Sequence, residues 1–179
     1  MKHLFIQILF NILAYSCSRI YGANGLNLLF SIAPCGVIIQ LLNRHGANVD
    51  PTARILSPLI IHGAKNEKSR YFKNLTIEGN VFLGRDSFID LTNKVSIGKD
   101  ACISHGLKVM THTDGADSWA AKSGILQSTS SAVMIGKEVY IGAFVTILEG
   151  VSIGQKSIIG ARSLINRNVQ KESLNYGVP

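Results

Sequence analysis

The chain is short of charge, of proline and of cysteine, and each shortage closes off a class of protein. Of its 179 residues only 16% are charged, while 46% are hydrophobic, so it can bury a core and has no reason to stay unfolded. Four prolines exclude a proline-rich linker. The three cysteines, Cys17, Cys35 and Cys102, are odd in number, far apart and without a CxxC pair. That leaves neither a disulfide framework nor a zinc ribbon and fits reduced thiols in the cytosol. No apolar run reaches the roughly 20 residues that cross a bilayer comfortably. Acidic residues are missing altogether from residues 1–49, which hold Lys2, Arg19 and Arg44. The net charge of +7 comes without a cluster of basic and aromatic residues, so no nucleic-acid partner is expected.

What is present falls into two regions. Residues 1–48 are an apolar segment that predicts helices over 4–15 and 26–42, the second interrupted by Pro34 and Gly36. Gln7, Asn11 and Ser18 form a narrow polar stripe along the first. Three readings stand for this segment. Lys2, the apolar stretch and Ala14-Tyr15-Ser16 resemble a secretory signal. Burial against the rest of the chain or in an oligomer interface is the second. The third is in-plane seating on a membrane, with the basic residues meeting anionic headgroups.

From residue 49 the chain follows a period of six. Ile135, Ile141, Ile147, Ile153, Ile159 and Ile165 are evenly spaced. With 22 isoleucines in 179 residues, chance would give that run at roughly three in a million. Gly136, Gly142, Gly154 and Gly160 follow four of them, and Val139, Val145, Val151, Ser157, Ser163 and Val169 come four residues after each isoleucine. Neither an α-helix nor a simple strand has this period. One short strand and one turn per hexad account for it. The isoleucine points inward, the glycine eases the corner through positive φ, and the Val or Ser fills a second, cramped inward site. Three hexads make a coil, and stacked coils make a parallel β-helix. Ile77, Leu83, Ile89 and Val95 keep the step, Ile97, Ile103 and Val109 resume it after a slip of two, and Val49, Ile55 and Ile61 form a first coil. Residues 66–76 read as an inserted loop. The largest break is an excursion over about 110–134, of a length that in a compact solenoid is usually functional or disordered.

The stretch IGKEVYIGAFVTILEGVSIGQKSIIGARSLI (135–165), the closing NYGVP (175–179) and ISHGLKVMTHTDG (103–115) resemble the hexapeptide-repeat acyltransferases. The likeness is nearest to the capsule, lipopolysaccharide and exopolysaccharide sugar O-acetyltransferases of the maltose and nodulation-factor branch. The resemblance implies a mainly β chain: a left-handed parallel β-helix over 49–179, preceded by the apolar helices. It also implies a homotrimer, acetyl-CoA held in the groove between neighbouring prisms, a carbohydrate acceptor and no metal. Such an enzyme is expected in the cytoplasm, with residues 1–48 as its contact if it is peripheral to the inner face of the membrane. Residues 1–48 differ from the polar helical preface of the maltose branch, and relatives continue past Gly177-Val178-Pro179 with residues that cover the cofactor.

A sugar hydroxyl attacks a thioester only when a base takes its proton, and histidine suits that task near neutral pH. His112 stands at the mouth of the excursion, in the segment matching the family's histidine, and is the candidate base. Asp114 or Asp90 is the candidate to orient it or to bind the acceptor, and His105 and Trp119 are candidates for acceptor contact. His62 and His45 read as structural or exposed. The resemblance assigns the cofactor to Gly142-Ala143, Gly160-Ala161, Asn166 and Arg167, the last able to meet a phosphate. Two other readings share the solenoid. One is a carbonic-anhydrase-type hydratase, with His62, His105 and His112 converging on zinc. The other is a non-catalytic sugar-binding or assembly module.

Overall fold

The computed structural model describes residues 2–63 and 70–178; the part of the expected inserted loop at 66–69 lies outside them. From Asn48 onward, short strands alternate with turns and stack in parallel into three sheets around one axis. Sheet A holds Asn48–Val49, Leu75–Ile77, Val95–Ile97, Val133–Ile135 and Ser152–Ile153. Sheet B holds Arg54–Ile55, Phe82–Leu83, Cys102–Ile103, Tyr140–Ile141, Ile158–Ile159 and Leu174–Asn175. Sheet C holds Leu59–His62, Ser87–Asp90, Lys108–Val109, Thr146–Ile147 and Leu164–Ile165. The registers align the isoleucines coil on coil: Ile77, Ile97, Ile135 and Ile153 in sheet A, Ile55, Leu83, Ile103, Ile141 and Ile159 in sheet B, and Ile61, Ile89, Val109, Ile147 and Ile165 in sheet C. All of these are buried and form one continuous core. The cramped second site is also inside, and its serines are satisfied: Ser157 Oγ donates to Gln170 O at 2.7 Å and Ser163 Oγ to Gly160 O at 2.7 Å.

The hexad glycines have a different cause from the one their composition suggests. Positive φ falls two residues later, on Glu138, Phe144, Lys156 and Arg162. Gly142 and Gly136 are needed because the next coil lies directly against them. A Cβ on Gly142 would sit 2.6 Å from Ala161 N, and one on Gly136 would sit 2.6 Å from Gln155 N. The glycine column therefore sets coil-to-coil spacing and does not supply the turn.

The period breaks three times, and each break falls where the chain leaves sheet C for sheet A, here termed the C–A corner. The steps run from Ile61 to Ile77, from Ile89 to Ile97 and from Val109 to Ile135. In the coil after that, Ile147 leads to Ile153 with no insertion.

The N-terminal region is three helices: α1 (Lys2–Tyr21), α2 (Ala23–Phe30) and α3 (Cys35–Arg44). Gly22, at φ 59°, separates the first two, and Pro34 caps the third, so the second apolar run is split in two. At Gly25 a side chain would meet Cys17 O at 2.3 Å, which lets α1 and α2 pack closely. The helices close the open end of the solenoid, one polar side chain to each sheet. Asn43 exchanges two hydrogen bonds of 2.8 Å with the backbone of Val49 in sheet A. Ile55 N in sheet B donates to Cys35 Sγ at 3.2 Å. Asn27 accepts from Ile61 N at 2.9 Å and donates to Ile61 O at 2.7 Å in sheet C. The unpaired edge of the first coil is thereby covered, as solenoid ends require. Among the described residues no helix is long and apolar enough to cross a membrane.

Candidate active site

The excursion leaves the C–A corner as an antiparallel pair, His112–Thr113 with Thr129–Ser130, and carries a short helix, α4 (Trp119–Lys122), beyond it. Asp114 Oδ1 accepts from Ala116 N at 2.8 Å and from Ser128 Oγ at 3.0 Å, clipping the two arms together. Those donors, Ala116 first, hold its carboxyl below the usual range. Asp114 is thus a loop clip. Trp119 is 75% exposed.

His112 is held from the other side. Its Nδ1 lies 2.6 Å from Asp90 Oδ2, with the imidazole 23% exposed and the carboxylate fully buried. Asp90 sits at the last strand position of the second coil in sheet C, where the chain spends its two extra residues. Oδ1 accepts from Thr92 N at 3.0 Å and Thr92 Oγ1 at 2.8 Å; Oδ2 also accepts from Thr111 N at 2.8 Å and Thr111 Oγ1 at 2.7 Å. Burial alone would raise this carboxyl, but the donors from His112, Thr111 and Thr92 together outweigh it and lower Asp90 to about 2. An ionised acceptor at Nδ1 places the imidazole proton there and leaves the lone pair on Nε2. With no exposed surface, Asp90 stands behind the histidine and has no route to an acceptor.

His62, exposed as expected, packs beside this site. In sheet C it is the partner of Asp90; its ring lies 5.9 Å from that of His112 at 13° and 5.9 Å from that of Phe88 at 23°. The imidazole of His112 is therefore fixed by a carboxylate at its edge and a ring against its face. His105 is elsewhere, on the turn between sheets B and C, edge-on to Phe144 at 4.9 Å. The three histidines of the zinc reading are not assembled, and no cluster of three His, Cys, Asp or Glu able to hold a metal occurs among the described residues. Glu149 also reaches the corner: Oε1 accepts from Thr129 Oγ1 of the loop at 2.6 Å, and Oε2 is buried.

The residues assigned to the cofactor divide between two edges. Asn166 and Arg167, both exposed, follow Ile165 at the C–A corner, the edge that carries His112. Gly142-Ala143 and Gly160-Ala161 lie on the turn from sheet B to sheet C. Next to Arg167, an open groove of about 410 Å³ runs over sheet A, lined by Met134, Ile153, Gly154 and Asn168 among others.

Fold and repeat together define a left-handed β-helix of hexapeptide-repeat type. Residues 132–167 match the family model described as bacterial transferase hexapeptide (six repeats). A putative lipopolysaccharide biosynthesis O-acetyl transferase, WbbJ, from Escherichia coli K12 is 32% identical over 92 residues, covering 48% of this chain and 47% of that protein. The chain spans about half the length of the curated relatives it matches. Two solved structures share the fold. A maltose O-acetyltransferase from Clostridium difficile 630 has a TM-score of 0.71 at 21% identity, over 96% of this chain and 84% of its own. A hexapeptide-repeat-containing acetyltransferase from Vibrio cholerae O1 biovar eltor, complexed with acetyl coenzyme A, has a TM-score of 0.71 at 19% identity, over 88% and 81%. Residues 132–167 thus carry the hexapeptide repeat of bacterial transferases, and the chain shares the fold of these acetyltransferase structures.

Proposed function

We propose that this chain transfers an acetyl group from acetyl-CoA to a sugar hydroxyl of a surface polysaccharide or its precursor, with His112 as general base. The observation that carries the reading is the 2.6 Å contact between His112 Nδ1 and the buried, ionised Asp90. Nε2 of His112 takes the proton of the attacking hydroxyl, and Asp90 stabilises the imidazolium that results, as a base-and-orienter pair does. His62, itself stacked on Phe88, lies parallel to the ring while the charge appears. Acetyl-CoA supplies the activated acyl carbon when bound; as the ester C–O bond forms the thioester C–S bond breaks, and the thiolate leaves with the proton that His112 took from the hydroxyl. No covalent intermediate on the protein is needed, and none of the cysteines stands at this site. Trp119, exposed on the loop, suits stacking against a sugar ring.

The donor site is supported by Asn166 and Arg167 on the His112 edge, where the guanidinium suits a phosphate. Gly142 and Gly160 do not leave a cradle, because the neighbouring coil or the C-terminal turn fills the space beside each; the small side chains of Ala143 and Ala161 remain as the part of that edge a pantetheine arm can approach. Two edges of one prism cannot face the same ligand across sheet C. They do so only if neighbouring copies each contribute one, which supports a homotrimer with the site between chains. A cytoplasmic location follows from the donor.

Incubation with acetyl-CoA and a panel of galactosides, maltose and lipopolysaccharide oligosaccharides, followed by mass spectrometry, tests the reading. An acetylated sugar is expected, and His112→Ala should abolish it with the oligomer retained. Undiminished transfer by that variant removes His112 from the role.

A further inference from the structure

The face of α1 turned away from the solenoid is apolar along most of its length. Phe5, Ile8, Leu9, Ile12 and Ile20 recur on it at helical spacing, and all are exposed. The opposite face is already covered, with Ala14 buried and Ile6 and Phe10 packed against the core. A helix apolar on both sides is ordinarily buried on both, yet among the described residues none covers the outer one.

Charge indicates what does. Arg19 stands on the outer face with its guanidinium 5.8 Å from the centre of the Tyr15 ring. Arg44, at the end of α3, donates from Nη1 to Asn11 Oδ1 at 3.0 Å, which fixes a second guanidinium along the flank of the same helix. Residues 1–49 offer no carboxylate to neutralise either. A second copy docked through this face would bring like charges together.

We propose that α1 lies in the plane of an anionic lipid surface, with its outer apolar side chains in the boundary between headgroups and acyl chains and Arg19 and Arg44 on lipid phosphates. The helix lies on the bilayer; among the described residues no helix is long and apolar enough to cross one. Tyr15 and Tyr21, both exposed at its C-terminal end, have the apolar body and polar tip that suit this depth.

The test is sedimentation of the full chain with vesicles of phosphatidylcholine containing ~30% phosphatidylglycerol, beside vesicles of phosphatidylcholine alone. Binding to the anionic vesicles is expected, weakening as salt rises from about 0.05 M to about 0.5 M. Arg19→Gln should lower that partition about fivefold, the loss of one basic residue at the surface. Ile8→Ser with Ile12→Ser should lower it more than about tenfold, with circular dichroism unchanged because both side chains are exposed. Failure to sediment with either vesicle overturns the proposal, as does binding that neither variant alters. A smaller oligomer for the double variant than for the wild type, by sedimentation velocity without lipid, also overturns it and assigns the face to a second copy. No acetyl donor is involved, so the outcome is independent of the catalytic reading.

Discussion

Replacing Asp90 with asparagine changes almost no volume and tests the site at its foundation. Each carboxylate oxygen accepts from a backbone N–H, Thr92 N at Oδ1 and Thr111 N at Oδ2. An asparagine must therefore set its NH2 against one of those donors, whichever way the amide is placed. A buried donor left facing another donor costs about 1–3 kcal/mol, and the lost charge-assisted contacts to Thr111 and His112 bring the total to about 2–4 kcal/mol. For a chain of this size that is a fall in Tm of about 5–15 °C. The sign of the pH dependence is fixed. Asp90 ionises at about 2 in the folded chain against 3.8 as the ordinary value, so its contribution is fully present above about pH 4 and is lost as pH falls towards 2. The gap between wild type and Asp90→Asn should close over that interval. The amide also no longer requires a proton on Nδ1 of His112, so the Nε2–H tautomer becomes accessible and kcat should fall by about 10²–10⁴-fold. Imidazole 15N shifts report the tautomer, and calorimetry across pH reports stability. A variant with unchanged Tm at pH 7, or wild-type His112 carrying its neutral proton on Nε2, would refute the reasoning.

Gly142→Ala places a methyl 2.6 Å from Ala161 N and should cost about 1–3 kcal/mol by calorimetry, whereas Gly36→Ala, with nothing within 4 Å, should cost nothing. His62→Ala removes a ring from the face of His112 without touching its hydrogen bond. It should lower kcat by less than His112→Ala does, with the Nδ1–H tautomer kept in the 15N spectrum. If the site lies between copies, mixing His112→Ala chains with Ala161→Trp chains, altered on opposite edges of the prism, should restore part of the activity both lack alone; no restoration after subunit exchange argues that the two edges do not meet at one site between chains.

Much of the solenoid can be read directly from the chain because its core obeys one local rule. An inward isoleucine at every sixth residue fits neither a helix nor a plain strand, and the registers place Ile135 through Ile165 where that rule puts them. The site is legible only where the rule fails. The slip between Ile89 and Ile97 marks the place where Asp90 turns inward beside Thr92, but the slip does not say which neighbour the carboxylate holds. Asp114 lies closer to His112 in sequence, yet the hairpin pairing of His112 with Ser130 carries it away to Ser128. His62 lies fifty residues before His112 and meets it because coils repeat in space, a relation that periodicity contains only once the sheet of each hexad is known. Composition makes turn formers of the glycines, and only the distance to the next coil shows the contact they relieve. Nor does any local pattern mark Asn27, Cys35 and Asn43 as the caps of three different sheets; each acts on a strand that the sequence places elsewhere.

All three interruptions of the repeat leave from a single edge of the prism, and the isoleucine spine runs past them undisturbed. Segments at that edge can be lengthened, trimmed or exchanged without altering what the interior must accommodate. If the proposed transfer to a sugar holds, a grafted arm from a relative should therefore change which acceptor is taken while the melting behaviour of the tube stays as it was, so that selectivity and folding can diverge separately.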